Sequence, residues 1–423
     1  MPERPLKVVI LAAGKSTRMK SDTPKVLHTI AGVPMLQWVL DQASALNTIE
    51  TIAVVGFGSE QVKEAFSHHR AIHWVTQEPQ LGTGHALMQC REALKGHNGD
   101  VAVLCGDVPL LRARTLNALL DKHRERKTAC TVLTARVPNP AGYGRIQRDK
   151  KGYVLGIVED RDLQPGQDSN EINTGTYLFD SKLLLERLER LGQDNAQGEY
   201  YLTDVVRMLV EDNKRVSASV VADWRETLGI NDRKQLAVAE RRARRRILDF
   251  LMLEMGVTIT DPRTTYVEAG VQIGRDTVIH PCTVIHTGVE IGKNCSIGPF
   301  AHLRSGTRIF DGCKVGAYVE TKNAILDEGA KAGHLAYLGD VSVGKNANIG
   351  AGTIVANYDG KEKHHTSIGD NAFIGCGTVL VAPVRVGKNA QTGANTVVPK
   401  GKNVPENTVV AGVPAKELRK RES

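Results

Sequence analysis

Aliphatic side chains recur at every sixth position through much of the second half of the chain. The beat runs Val267, Ile273, Ile279, Ile285, Ile291, Ile297, Leu303, Ile309, Val315. It resumes at Val343, Ile349 and Val355, and again at Ile374, Leu380, Val386, Val398, Val404 and Val410. A period of six fits neither a helix nor an alternating strand. It fits the stacked hexapeptide coils of a β-helix, where each repeat is one flat face and its aliphatic residue points inward. One coil cannot bury its own face, so stacking supplies the core. Glycine often follows at once, as in Ile273-Gly274, Ile291-Gly292, Ile297-Gly298, Val315-Gly316, Ile349-Gly350, Ile374-Gly375 and Val386-Gly387, and is expected to give the corners their unusual backbone angles. Two stretches break the beat, Thr321 to Leu338 and Ala356 to Thr366, and both are expected to form loops that carry binding groups.

The first half follows another rule. Lys7 to Ala13 is an apolar run ending at Gly14, the pattern of a strand buried on both faces. Further strands are predicted at 52–55, 72–75, 101–105, 130–135 and 216–221. Helical patterns fall at 35–46, 60–66, 84–94, 116–126 and 199–212, and a hairpin at 143–148 and 152–158. Alternating strands and helices predict an open α/β sheet, with ligands at the carboxyl ends of its strands. Residues 232–256 read as a connecting helix between a domain at 1–231 and a β-helix at 257–423 that ends in a basic tail. Its run Arg241-Arg242-Ala243-Arg244-Arg245-Arg246 reads as a solvated face rather than a nucleic-acid site.

Composition narrows the function. There is no long apolar run for a membrane span and no signal peptide. Seven cysteines without a C-x-x-C pair argue against a disulfide framework or zinc site and suit the cytoplasm. The formal charge of +8 suits phosphorylated substrates, and an aromatic content of 4% argues against a base-stacking surface.

Leu11-Ala12-Ala13-Gly14-Lys15-Ser16-Thr17-Arg18-Met19 is a strand entering a polar loop. It lacks the glycine spacing of a Walker loop and the dinucleotide fingerprint. Its backbone N–H groups, Lys15 and Arg18 suit a polyphosphate. Lys25 adds a cation, Gln77 to Ala86 is an amide-rich loop opening a helix, and Asp107 follows a hydrophobic strand, a good place for Mg²⁺.

Taken in order, A-A-G-x-x-T-R-M, P-K-V-L-H, Q-L-G-T-G-H-A, G-D-V-P, G-Y-G-R-I, I-V-E, E-I-N-T-G and Q-G-E-Y-Y-L-T-D resemble the sugar-phosphate nucleotidylyltransferases. The nearest likeness is to the family of bifunctional N-acetylglucosamine-1-phosphate uridyltransferases and glucosamine-1-phosphate N-acetyltransferases, over nearly the whole chain. The resemblance implies a Rossmann-like nucleotidyltransferase domain and a left-handed parallel β-helix. It places Leu11, Ala12, Ala13, Gly14, Lys25, Gln77, Gly82 and Thr83 around UTP, with Arg18 on the phosphates. Gly144, Glu159 and Asn173 would hold N-acetylglucosamine-1-phosphate, and Asp107 and Asn231 would bind Mg²⁺. Arg18 and Lys25 would stabilise charge during transfer. Ser16 stands where the family usually has a second glycine.

On the β-helix, Arg304, Lys322, His334, Tyr337, Asn348, Asn357 and Tyr358 fall on neighbouring coils. The same resemblance makes His334 the general base toward the amine of glucosamine-1-phosphate, with Glu320 orienting it. Arg304, Lys322, Tyr337, Asn348 and Lys363 would hold that sugar phosphate. Asn357, Tyr358, Cys376 and Ala394 would meet acetyl-CoA. The family's arginine for the CoA phosphate is missing, leaving Lys416, Arg419, Lys420 or Arg421 to substitute. The segment from Ile259 to Arg304 is about two coils shorter than in the longer members. The resemblance further implies a homotrimer with acetyl-CoA sites between subunits, and a product, UDP-N-acetylglucosamine, that is a precursor of bacterial cell-wall sugars. The alternative is a uridylyltransferase whose β-helix is a non-catalytic assembly module.

Overall fold

The computed structural model describes residues 4–15 and 17–420; Ser16 and Arg421 lie outside the described residues, as do the side chains of Arg419 and Lys420. Contacts divide the chain into two units between Glu240 and Arg241, inside the helix Arg233–Leu253. Among the described residues no helix is long and apolar enough to cross a membrane.

The first unit is built on the strand Leu6–Ala12. It pairs in parallel with Glu50–Val55 on one side and Asp100–Cys105 on the other, and Ile72–Thr76 extends the sheet beyond Glu50–Val55. Alternate residues of the strand feed two cores. Val8 and Ile10 pack with Leu36, Val39 and Leu116, while Val9 packs with Ile52, Val103 and Leu184. A strand covered on both faces has no polar side, which is why its sequence does not alternate.

The sheet is mixed rather than wholly parallel. Glu171–Asp180 lies between Asp100–Cys105 and Cys130–Arg136 and is antiparallel to both. Its polar opening, Glu-Ile-Asn-Thr-Gly, hides a strand from a reading by hydrophobicity. The register slips between Asn173 and Tyr177, and Gly175 takes a φ of 75° there. Such a bulge bends the strand and re-aims its side chains. The helix Ser181–Leu188, also unpredicted, begins at Asp180, whose carboxylate accepts from the Leu183 N–H at 3.0 Å. Two predicted helices are shorter than expected. The one at 84–94 splits into Thr83–Met88 and Arg91–Leu94. The one at 199–212 starts only at Thr203, because the Tyr200 backbone is spent on the neighbouring loop: its N–H donates to the Leu81 carbonyl and its carbonyl accepts from the Gly84 N–H, both at 2.8 Å.

In the second unit, short strands stack in parallel. Ser296 pairs with Lys314, 18 residues on, and Ile279, Ile297 and Val315 are fully buried in one inward row. From Val267 to Val315 the left-handed backbone conformation falls three residues after each inward aliphatic, at Gly270, Asp276, Cys282, Gly288, Asn294 and Phe300 and on to Tyr318. Those positions are the corners. The glycines that directly follow the aliphatic residues serve another purpose, since only Gly298 of the seven has a positive φ. They are needed for space. A Cβ on Gly274 would stand 2.7 Å from the Gly292 carbonyl carbon, and one on Gly316 would stand 2.0 Å from the Gly333 oxygen.

The first break in the beat is not a loop. Lys314 pairs with Lys331 and Glu320 with Tyr337, offsets of 17, so one repeat in each of these coils has five residues instead of six. Thr321, Leu326, Ala332, Leu338 and Val343 continue the inward row, all at most 1% exposed. Thr321 hides the pattern because it is polar; its hydroxyl meets that of Thr307 at 3.0 Å. The second break is a real insertion: Asn348 pairs with Phe373, 25 residues on. That loop is tied down by Asp359, which accepts from the N–H groups of Lys361 and Glu362, from His364 Nε2 at 2.6 Å and from Lys400 Nζ at 3.0 Å. Those donors hold its carboxyl well below the usual range.

Candidate active sites

In the first unit a cleft of about 480 Å³ opens beyond the carboxyl ends of Leu6–Ala12 and Asp100–Cys105. Leu11, Ala12, Ala13, Gly14, Lys25, Gln77, Gly82, Thr83 and Asp107 line it, together with Lys15, Gln80 and Glu199. The floor is shaped by close approach. A Cβ on Gly82 would meet the Tyr200 carbonyl at 2.7 Å, and one on Gly56 would meet the Ala13 carbonyl at 2.7 Å. Gly14 faces open space, so its loop presents bare backbone to whatever enters. Gln77 is buried, and its amide donates to the Gly82 carbonyl at 3.0 Å and meets His85 Nδ1 at 3.1 Å. Arg18 stands in an exposed turn, Thr17–Met19, and is not among the lining residues.

One contact organises the polar end of the cleft. The Lys25 ammonium donates to Asp107 Oδ2 at 2.5 Å and to Asn231 Oδ1 at 3.1 Å. The two residues predicted to share a metal therefore converge on one point, and that point already holds a cation. One carboxylate and one amide oxygen suit Mg²⁺, which keeps several waters and takes its remaining ligands from phosphate oxygens.

Gly144, Glu159 and Asn173 lie outside that lining and form a second cluster. The Asn173 N–H donates to the Gly144 carbonyl at 2.8 Å, and its side-chain amide donates to the Tyr177 hydroxyl at 2.6 Å. Glu159 accepts from the Thr203 hydroxyl at 3.1 Å, and a Cβ on Gly144 would stand 3.3 Å from its carboxylate. Burial raises the Glu159 carboxyl above its usual range, and Asp162, Asp204 and Asp160 add to that. Thr83 ties the cluster to the cleft by accepting from the Leu202 N–H at 3.2 Å. Gln80, Glu199 and Thr203 were not singled out from the sequence, although Q-L-G-T-G and Q-G-E-Y-Y-L-T contain them.

On the β-helix, Arg304, Glu320, Lys322 and Tyr337 share one face. Arg304 Nη1 donates to Glu320 Oε1 at 2.9 Å. The expected Glu320–His334 contact is absent: Glu320 is taken by Arg304, with His302 Nδ1 at 3.9 Å from its other oxygen. The reason is the coil geometry, which sets Tyr337 rather than His334 beside Glu320. His334 lies beside Ala317 on the adjoining edge, is exposed, and makes no side-chain hydrogen bond among the described residues. Successive corners stack on that edge: the Gly377 N–H donates to the Ala351 carbonyl and the Asn395 N–H to the Cys376 carbonyl, each at 2.7 Å. His334, Cys376 and Ala394 thus occupy one column, although uneven coil lengths separate them in sequence.

Lys322 and Lys363 meet, and Lys363 first, then Arg304, hold the Lys322 ammonium below its usual value. A cluster of cations of this kind suits a phosphate. Asn357 is buried and donates to Asp340, whose other oxygen accepts from Asn323 at 3.0 Å. Tyr358 is exposed and its hydroxyl donates to the Gly360 carbonyl at 2.8 Å. Asn348 lies on a different face, between Lys331 and Phe373, so a single chain does not bring it beside Tyr337. Of the basic tail, Lys416 lies in the strand Lys416–Lys420, which folds back antiparallel on Thr408–Ala411.

Residues 8–212 match the MobA-like NTP transferase domain, and 288–323 and 365–400 match the bacterial transferase hexapeptide repeats. The chain is 46% identical over 413 residues to the bifunctional protein GlmU of Pelobacter propionicus, covering 89% of this chain and 90% of that one. It is 46% identical to the bifunctional protein GlmU of a Geobacillus species, with 89% of each covered, and 42% identical to that of Geobacter metallireducens, with 90% and 91% covered. The chain belongs to the bifunctional GlmU family. Its first unit is a nucleotidyltransferase and its second a left-handed β-helix of the hexapeptide acetyltransferases. The GlmU relationship runs through both halves of the chain, so the two sites belong to one enzyme.

Proposed function

We propose that the chain makes UDP-N-acetylglucosamine in two steps. Glucosamine-1-phosphate is acetylated by acetyl-CoA on the β-helix, and the N-acetylglucosamine-1-phosphate then receives a uridylyl group from UTP in the first unit. The observation that carries the reading is the presence of two different charged sites in one chain: the Lys25–Asp107–Asn231 cluster in the nucleotide cleft, whose oxygens hold a cation, and the Arg304–Lys322–Lys363 cluster on the β-helix, whose cations suit a phosphate.

In the first reaction His334 takes a proton from the amine as nitrogen attacks the thioester carbon, and CoA leaves as its thiol. Its imidazole makes no side-chain hydrogen bond among the described residues, and a neutral imidazole can accept that proton. Arg304, Lys322 and Lys363 hold the sugar phosphate, with Tyr337 completing the pocket. Asn357, Tyr358, Cys376 and Ala394 face the acetyl donor, the last two from the column that carries His334. Glu320 acts through Arg304 rather than through His334. Asn348, which one chain does not bring beside Tyr337, completes the pocket from another copy, and we take the assembly to be a trimer. Light scattering on the full chain should give three times its 46.0 kDa mass.

In the second reaction a phosphate oxygen of the sugar phosphate attacks the α-phosphorus of UTP and pyrophosphate leaves. Alignment and charge neutralisation dominate such transfers. Gly14, Gly82 and Thr83 offer backbone to the nucleotide, and Gln77 is braced to read the base. Gly144, Glu159 and Asn173 hold the sugar. Mg²⁺, held by Asp107 and Asn231, would supply charge neutralisation on the phosphates. Lys25 moves from that pair to phosphate oxygens, and Arg18 reaches in from its exposed turn. Both reactants are soluble phosphates, which suits a cytoplasmic enzyme.

One incubation tests the whole reading: glucosamine-1-phosphate, acetyl-CoA, UTP and Mg²⁺, with each left out in turn. The expected result is UDP-N-acetylglucosamine from the complete mixture alone. UDP-glucosamine formed without acetyl-CoA would overturn the first-unit specificity. Uridylyl transfer to N-acetylglucosamine-1-phosphate with no acetylation would reduce the β-helix to an assembly module.

A further inference from the structure

On the β-helix face that carries Arg304, four ionisable side chains form a chain leading to it. His286 Nδ1 is 3.0 Å from Glu268 Oε1. His286 Nε2 meets His302 Nε2 at 2.9 Å, with the rings 5.0 Å apart. His302 Nδ1 is 3.9 Å from Glu320 Oε2, and Glu320 Oε1 accepts from Arg304 at 2.9 Å. The charged groups acting on His302 are Glu320, His286 and Arg304. Glu268 also accepts from the Thr287 N–H at 2.8 Å.

The number of protons this arrangement wants can be counted. There are four ring nitrogens and three contacts: one to each carboxylate and one between the rings. Two neutral imidazoles bring two N–H groups. One of these must lie between the rings, so one carboxylate is left facing a lone pair. A single extra proton satisfies all three contacts. A second would oppose two N–H groups across 2.9 Å. The pair therefore takes up one proton and resists the next, as coupled sites do. Burial holds His302 below its usual value, against the pull of Glu320.

We propose that His286 and His302 are proton-linked positioning residues for Arg304, so that glucosamine-1-phosphate binds more tightly when the pair carries its one extra proton. The proposal rests on the reading of Arg304 as a phosphate-holding residue. Glu320 is the shared object. With the extra proton in place, His302 presents an Nδ1–H to Glu320 and draws it away from Arg304, whose guanidinium is then free for phosphate. Without it, one carboxylate faces a lone pair; His302 Nδ1 stands 3.9 Å from Glu320 against 3.0 Å between His286 and Glu268, so Glu320 is the one released, and it settles on Arg304. Proton and phosphate then favour each other, and linkage makes the effect reciprocal. KM for the sugar phosphate rises as pH climbs through the titration of the pair.

The test uses the full chain at saturating acetyl-CoA and compares the parent enzyme with His302→Gln and His286→Gln from pH 5.5 to 8.5. The substrate's own titration is common to all three and cancels in the ratio. The parent's KM for glucosamine-1-phosphate should rise about fivefold more than that of either variant, with kcat kept within about twofold. Uridylyl transfer by the same preparations reports folding. A parent-to-variant KM ratio that stays constant with pH overturns the proposal. Nitrogen-15 spectra of the histidines should show one proton bound by the pair well before a second; two independent, equal titrations would also overturn it. Failure of the parent enzyme to acetylate at any pH would remove Arg304's role and this proposal with it, an outcome unlike a flat ratio in an active enzyme.

Discussion

The stacking of the second unit can be tested at a single atom. In Gly316→Ala the new Cβ would lie 2.0 Å from the Gly333 carbonyl oxygen and 2.8 Å from its carbon. Both neighbours are backbone in the next coil, so no side chain can swing aside. Ordinary contact begins near 3.4 Å, so the coils must part by more than 1 Å at that edge. Overpacking of this kind costs about 1–3 kcal/mol. The neighbouring inter-coil bonds, such as Gly298 N–H to the Val315 carbonyl and Lys314 N–H to the Ala330 carbonyl, would stretch as well. Losing one adds about 1 kcal/mol, for a total of about 3 kcal/mol. In a unit of this size that lowers its melting temperature by about 6–12 °C. The control is Gly333→Ala. Its Cβ would meet nothing within 4 Å and its φ is not positive, so stability should change by less than about 0.5 kcal/mol. The assay can separate the units, because Trp38, Trp74 and Trp224 all lie in the first. Tryptophan fluorescence should melt at the parent temperature in both variants, while the far-ultraviolet dichroism transition of the β-helix should fall in Gly316→Ala alone. A Gly316→Ala protein that melts within about 2 °C of the parent, or a Gly333→Ala protein that falls equally, would refute the claim that the glycine row is set by coil-to-coil space.

Asp107→Asn keeps the shape of the side chain but removes the charge that faces Lys25; uridylyl transfer should drop at least about 100-fold, acetyl transfer should stay, and an equal loss of both in a folded protein would count against the assignment. His334→Ala should lower kcat for acetylation by about 10²–10⁴-fold and spare uridylyl transfer; retained acetylation would reject the base. The raised Glu159 carboxyl holds its proton to a higher pH than an ordinary carboxylate, so kcat/KM for N-acetylglucosamine-1-phosphate should fall on the acid side through that raised pKa. The same group stabilises the fold while protonated and loses that contribution as pH rises through the folded pKa. Glu159→Gln should remove the acid limb, and an unchanged limb would mean that another group titrates there.

Much of this protein is legible without coordinates because its two halves obey two simple periodicities. The inward aliphatic of each hexapeptide and the two-sided burial of Lys7 to Ala13 follow from local pattern, and the ordered motifs from Gly14 to Asp204 name the candidate residues of the cleft. The polar strand Glu171–Asp180 escaped that reading, because its bulge and its antiparallel place between two other strands are properties of the sheet. So did the continuity of the coils through Thr321 and Ala332, where a threonine satisfied by Thr307 stands in for an aliphatic residue and each coil drops one residue. The tertiary structure alone decided the partners. It put Asp107 and Asn231, far apart in the chain, on one Lys25 ammonium, gave Glu320 to Arg304 instead of His334, and laid His334, Cys376 and Ala394 along one edge. The physical reason is that burial is read along the chain, whereas electrostatic partnership is set by which residues stack a coil or a strand apart, and coils of 17, 18 and 25 residues carry no constant spacing for a sequence to display.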